Sequence, residues 1–103
     1  MSKRRMLDNN GYAESILPTE DRRCYLCLNV AETVRHEIYY GTANRRLSKR
    51  EGCWVNLCPR CHEEVHKRPN EGCDGFLKRN AQWYFEKNSS REEFVEIFGR
   101  NYI

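Results

Sequence analysis

Leu57-Cys58-Pro59-Arg60-Cys61-His62-Glu63-Glu64-Val65-His66 packs two kinds of metal-ligand spacing into ten residues. Cys58 and Cys61 form a C-x2-C pair, and His62 and His66 form an H-x3-H pair. Cys24 and Cys27 form a second C-x2-C upstream. Two such pairs, separated by thirty residues, supply four thiolates, the donor set of a closed tetrahedral zinc site. A closed site leaves no position for a reactant, so its expected role is structural. One pair on a turn and one at a helix start is the pattern of a treble-clef-like zinc fold.

Two other assignments use the same residues. Cys24 and Cys27 could join His62 and His66 as a two-cysteine, two-histidine finger. Its gap would be 34 residues, against the usual ~12, and Cys58 and Cys61 would be left over. Cys53 or Cys73 could replace a member of a pair; otherwise both are thiols without a ligand role.

The histidines offer a second chemistry. On a helix His62 and His66 share one face, because residues four apart stack along it. His62 follows Cys61 directly and points about 100° around the axis from it, so two metal sites would be close but distinct. His36, in Arg35-His36-Glu37-Ile38-Tyr39, lies between the cysteine pairs and could bring a third imidazole to the same ion. Three protein ligands leave open positions for water and a phosphate oxygen. Glu37 could accept a proton from the attacking water. The bland alternative is that His62 and His66 cap the helix end or face solvent.

Elements must carry these groups into place. Val30 to Tyr40 reads as one or two short strands and Cys53 to Leu57 as a second. Asn44 to Glu51 is a charged loop or short helix ended by Gly52. Pro59 suits the first turn of a helix that carries His62 and His66 and stops before Pro69. Asn70 to Gly75 reads as a turn, and Phe76 to Lys87 as a helix. Ser90-Arg91-Glu92-Glu93 is a capping box opening a last helix that Gly99 closes. Residues 1–20 are expected to be a mobile or weakly docked arm, its Lys3-Arg4-Arg5 able to touch phosphate, with the zinc-stabilised domain over 21–103.

Composition agrees with a metal-stapled fold. The chain has 103 residues, 39% hydrophobic and 32% charged, with a mean hydropathy of −0.92. So thin a core needs disulfides or a metal. No leader-like apolar run follows the N-terminus and no stretch approaches membrane-span length, which points to a cytoplasmic chain with reduced thiols. The net charge is +3, but residues 35–68 hold eight Lys/Arg against four Asp/Glu. Positive charge thus gathers around the histidines, which suits a polyanion such as nucleic acid and equally a plain solvated surface.

His36-Glu37-Ile38, two strands, and then Leu57-Cys58-x2-Cys61-His62-x3-His66 resemble the HNH, or ββα-metal, endonucleases, in particular short phage-type HNH proteins. Ala43-Asn44-Arg45, Leu77-Lys78-Arg79 with Ala81-Gln82, and Phe98-Gly99-Arg100-Asn101-Tyr102 extend the likeness over roughly residues 22–103. There is a more distant likeness to a phage recombination-enhancement nuclease. The resemblance implies an α+β, zinc-stapled ββα-metal HNH domain with C-terminal helices. It implies a metal-dependent DNA endonuclease in a bacterial host cell, encoded by a phage or prophage. DNA would be its partner, with phage or host recombination or packaging proteins as further partners and no membrane; the oligomeric state is left open.

By this resemblance His36, His62 and His66 hold a catalytic Mg2+, Mn2+ or other divalent ion, Cys24, Cys27, Cys58 and Cys61 hold structural Zn2+, and Arg45, Arg46, Lys49 and Arg50 bind DNA phosphates. Two positions depart from the family pattern. Glu37 stands where the family places its histidine base, so either Glu37 is the base or His36 is, with Glu37 on the metal. Cys53 stands nine residues before His62, where the family has an asparagine; Asn44, or else Asn56, would brace the loop holding His36. A zinc module that binds DNA or protein without cutting, and a purely structural zinc protein, are the alternative readings.

Overall fold

The computed structural model describes residues 5–103. Its class is α+β, as expected: a two-stranded sheet and four helices. The strands are β1 (Val34–Glu37) and β2 (Trp54–Leu57), paired antiparallel with His36 opposite Val55 and Glu37 opposite Trp54. Between them runs helix α1 (Thr42–Glu51), and α2 (Pro59–Val65), α3 (Gly72–Lys87) and α4 (Arg91–Phe98) follow.

The charged segment after Tyr40 becomes α1 because one stripe of it is uncharged: Leu47 is half-buried and Ser48 fully buried. Gly52 ends it in the left-handed region, at φ 73°. A side chain there would also collide with the Glu14 carbonyl, so only glycine fits this junction. Ser90 caps α4 by accepting from the Glu93 N–H at 3.0 Å, and Gly99 closes it at φ 78°.

Helix α3 starts at Gly72, inside the expected turn 70–75. The Asp74 carboxylate accepts the Asn70 N–H at 2.6 Å, and Gly75 leaves room for the Asn70 carbonyl that a Cβ would strike. Two glycines hide this first turn from any propensity reading.

Alternation along β1 turns His36 inward while Arg35 is exposed and Glu37 only half-buried. Every residue of β2 is buried, so both faces of that strand are covered. The second cover is the segment before Cys24, whose described part lies within the 1–20 expected as a mobile or weakly docked arm. Ala13 and Leu17 are buried. The Ala13 N–H donates to Lys49 O, the Ile16 N–H to Gly52 O, and the Trp54 indole N–H to Ala13 O, all at 2.8–2.9 Å. The side chain of Asn56 donates to Glu20 O at 2.9 Å. Arg5 pairs with the buried Glu51 at 3.5 Å; Lys3 and Arg4, the rest of the expected phosphate-touching run, lie outside the described residues.

The core centres on Tyr39, fully buried, whose ring lies 4.6 Å from Phe98, 5.0 Å from Tyr102 and 5.3 Å from Phe94. Buried Gln82 ties the C-terminal residues to α3: it accepts from the Tyr102 N–H and donates to Asn101, both at 2.7 Å. Among the described residues no helix is long and apolar enough to cross a membrane.

Candidate metal centres

Cys24 and Cys27 sit on a tight turn anchored to β2, where the Tyr25 N–H donates to Asn56 O at 2.8 Å. Leu28, at φ 66°, turns the chain back so that its N–H reaches Cys24 O. Cys58 is the residue before α2, and Cys61 lies in the helix's first turn, with Pro59 between them. The four sulfurs lie within 4.8 Å of one another, and the Cys27 and Cys58 sulfurs are 3.9 Å apart. Sulfurs on a tetrahedral zinc at ~2.3 Å stand about 3.8 Å apart, so the spacing fits.

The electrostatics fit as well. Burial raises the Cys24 thiol, but N–H groups of Cys27, Cys58 and Leu26 outweigh it and bring its pKa down to about 6. Burial and the neighbouring thiols push Cys61 up. Four thiols that cannot all ionise together become four thiolates when a cation sits among them. The cluster can therefore hold a metal such as zinc. Cys53 and Cys73 stay out of it: Cys53 is buried beside α1, where burial drives its thiol up, and Cys73 is exposed on α3. The pairing of Cys24 and Cys27 with His62 and His66 is not formed either, since the imidazoles group with His36.

That second group is a near-equilateral triangle. Ring centroids are 5.1 Å apart for His36–His62, 5.3 Å for His36–His66 and 5.0 Å for His62–His66, with ligand atoms again within 4.8 Å. β1 supplies His36 and α2 supplies His62, with His66 as the residue that closes α2. The site grades from inside to outside: His36 is buried, His62 half-buried and His66 exposed. Burial, then the charges of His62 and His66, hold the His36 pKa down at about 3. Burial and His66 lower His62 too, against an opposing pull from Glu37. His36 and His62 are thereby biased toward the neutral imidazole, the form that binds metal. His36 Nε2 is buried with no hydrogen-bond partner among the described residues. A buried orphan nitrogen is costly unless a ligand meets it, and a divalent ion between the rings fits the donor set.

The triangle opens into a cleft of about 180 Å³ that Arg35, Glu37, Tyr40 and Arg45 complete. Glu37 has both oxygens occupied: the Tyr12 hydroxyl donates to Oε2, and Arg45 Nε stands 3.6 Å from Oε1. Of the four cations expected to meet phosphate, Arg45 lies in the cleft wall and Arg46 is exposed. Lys49 lies over the Tyr12 ring at 4.7 Å, and Arg50 pairs with Glu51 at 3.1 Å.

Asn44 is half-buried on α1 and outside the cleft lining. Asn56 is used on Glu20. The loop after His36 is braced by Ser48 instead, whose Oγ accepts from the Tyr39 N–H at 3.0 Å and donates to the Tyr39 carbonyl at 2.7 Å. A lone serine in a run of cations was the only signal for it. Tyr12 and Arg35 also escaped the sequence reading. Arg35 lies over the rings of Tyr12 and Trp54 at 4.6 and 4.4 Å, which clamps the N-terminal segment against β1.

No family model matches this chain, and neither a curated protein nor a solved structure matches it.

Proposed function

We infer that the chain is a metal-dependent DNA endonuclease of the HNH type, a ββα-metal domain stapled by zinc. The observation that carries this reading is the convergence of His36, His62 and His66 in a cleft that a carboxylate and two arginines also line. A closed thiolate cluster would account for folding and leave the three imidazoles with no structural duty.

His36, His62 and His66 would hold the divalent ion. Bound there, the ion supplies Lewis-acid stabilisation of charge building on the scissile phosphate. Imidazole donors favour Mn2+, Ni2+ or Zn2+ over Mg2+. Glu37 is the proton acceptor for water: it stands outside the histidine group, and Tyr12 fixes its Oε2 so that Oε1 faces Arg45. Arg45 is 62% exposed at its side chain, free to exchange the Glu37 oxygen for a phosphate oxygen when DNA arrives. Arg46 adds a phosphate contact from the same helix.

The second reading is a module that binds DNA without cutting it. The double engagement of Glu37 favours it, since both carboxylate oxygens already have partners. Supercoiled plasmid incubated with zinc-replete protein and Mg2+, Mn2+, Ni2+ or Co2+ separates the two. Nicking that His62→Ala abolishes, with the fold retained, supports the enzyme. Binding without nicking in every metal leaves the module.

A further inference from the structure

Behind the cleft lies a second set of polar groups that the proposed chemistry does not use. Asp74 and Lys78, four apart on α3, form an ion pair at 2.9 Å with side chains 0% and 7% exposed. Lys78 also donates to Asn70 Oδ1 at 2.8 Å, and its ammonium lies 4.3 Å from the centre of the Tyr40 ring. That ring also packs on the histidines, 5.1 Å from His66 and 6.0 Å from His36. Asp74 already holds the Asn70 N–H at the start of α3, and its pairing with Lys78 places a buried polar group against one wall of the cleft as well.

Two loose ends meet there. Tyr40 Oη and Asp74 Oδ1 are both buried, and neither makes a hydrogen bond of full geometry among the described residues. The Lys78 ammonium touches both side chains, 2.9 Å from Asp74 Oδ2 and 4.3 Å from the Tyr40 ring centre, so the two are near neighbours. A donor without an acceptor beside an acceptor without a donor closes into a hydrogen bond with a small side-chain rotation.

We propose that Tyr40, tethered by its hydroxyl to the Asp74–Lys78 pair, is a positioning residue that holds His36 and His66 converged before an ion enters. This rests on the reading of the three histidines as an ion site. Aromatic packing restricts both imidazoles, and the tether restricts the ring. Groups that orient metal-ligating histidines from behind are worth 10–100-fold in affinity.

The test is Mn2+ titration of zinc-loaded protein, followed by loss of the free-ion electron paramagnetic resonance signal, with His62→Ala marking the site. Tyr40→Leu weakens Mn2+ binding about 10–100-fold, and Tyr40→Phe, which keeps the ring and loses the tether, weakens it less. Zinc content and amide spectra verify the fold of each. Nitrogen-15 spectra of the Mn2+-free proteins give a second readout: sharp imidazole signals in the wild type, broadened ones in Tyr40→Leu. Wild-type affinity and sharp signals in both variants overturn the positioning role alone. Tyr40→Phe equal to wild type beside a weak Tyr40→Leu removes Asp74 from it. A wild type that binds no Mn2+ ends both this role and the ion site beneath it.

Discussion

Cys61 and His62 are consecutive residues of α2, yet their side chains enter two different clusters: the Cys61 sulfur joins Cys24, Cys27 and Cys58, and the His62 imidazole joins His36 and His66. A seven-residue helix is too short to be stable by itself. It is held at one end by Cys58 and Cys61 in the sulfur cluster and along its length by Val65 in the core, so the histidine end inherits part of its geometry from the sulfurs.

Removing a metal held by the four cysteines should therefore unfold the protein. Structural zinc contributes ~10–16 kcal/mol in small domains, as much as or more than the ~5–15 kcal/mol of a typical fold. A strong chelator, or Cys61→Ser, should abolish the cooperative thermal transition seen by circular dichroism. A transition unchanged after complete zinc removal would contradict the structural role.

Ser48→Ala removes both hydrogen bonds to Tyr39 and strands a buried N–H and C=O. The expected loss is about 1–3 kcal/mol per stranded group, read from urea unfolding of zinc-loaded protein. Asn44→Ala, on the same helix, should stay within ~0.5 kcal/mol. The reverse order would return the bracing role to Asn44.

The segment before Cys24 should behave as core. Leu17 is 4% exposed, and Leu17→Ala should cost about 2–5 kcal/mol. An arm loosely attached to the surface would give less than ~0.5 kcal/mol in the same measurement.

On the proposed reading as a DNA-binding nuclease, the four cations of α1 should separate on DNA. Arg45→Ala and Arg46→Ala each lower the slope of log affinity against log salt by about 0.9, the value of one lost phosphate contact. Lys49→Ala and Arg50→Ala leave the slope nearly unchanged, because those cations face Tyr12 and Glu51. Fluorescence anisotropy across a salt series reads this directly, and equal losses at all four would refute the division.

The cysteine pairs, the two strands and the helix stop at Gly99 were legible because each is written in neighbouring residues: ligand spacing, β-branched and aromatic runs, a glycine at a helix end. The convergence of His36 on His62 and His66 was legible for a related reason, since the chemistry of the residue type narrowed the choice of partner. Ser48, Tyr12 and the first turn of α3 were not. Ser48 matters through a contact nine residues away and Tyr12 through one 25 residues away. The cover on β2 is likewise a long-range fact: Trp54 and Asn56 read as ordinary strand residues until Ala13 and Glu20 are seen accepting from their side chains. Glycines at 72 and 75 mask a helix that Asp74 stabilises from its side chain.

The most direct test of the two-centre arrangement is anomalous diffraction from crystals of zinc-loaded protein soaked in Mn2+, with data at both metal edges. Two peaks are predicted, zinc among the sulfurs of Cys24, Cys27, Cys58 and Cys61, and manganese among the imidazoles of His36, His62 and His66. A single peak, with the three rings turned apart or one of them bound to the zinc, would contradict it.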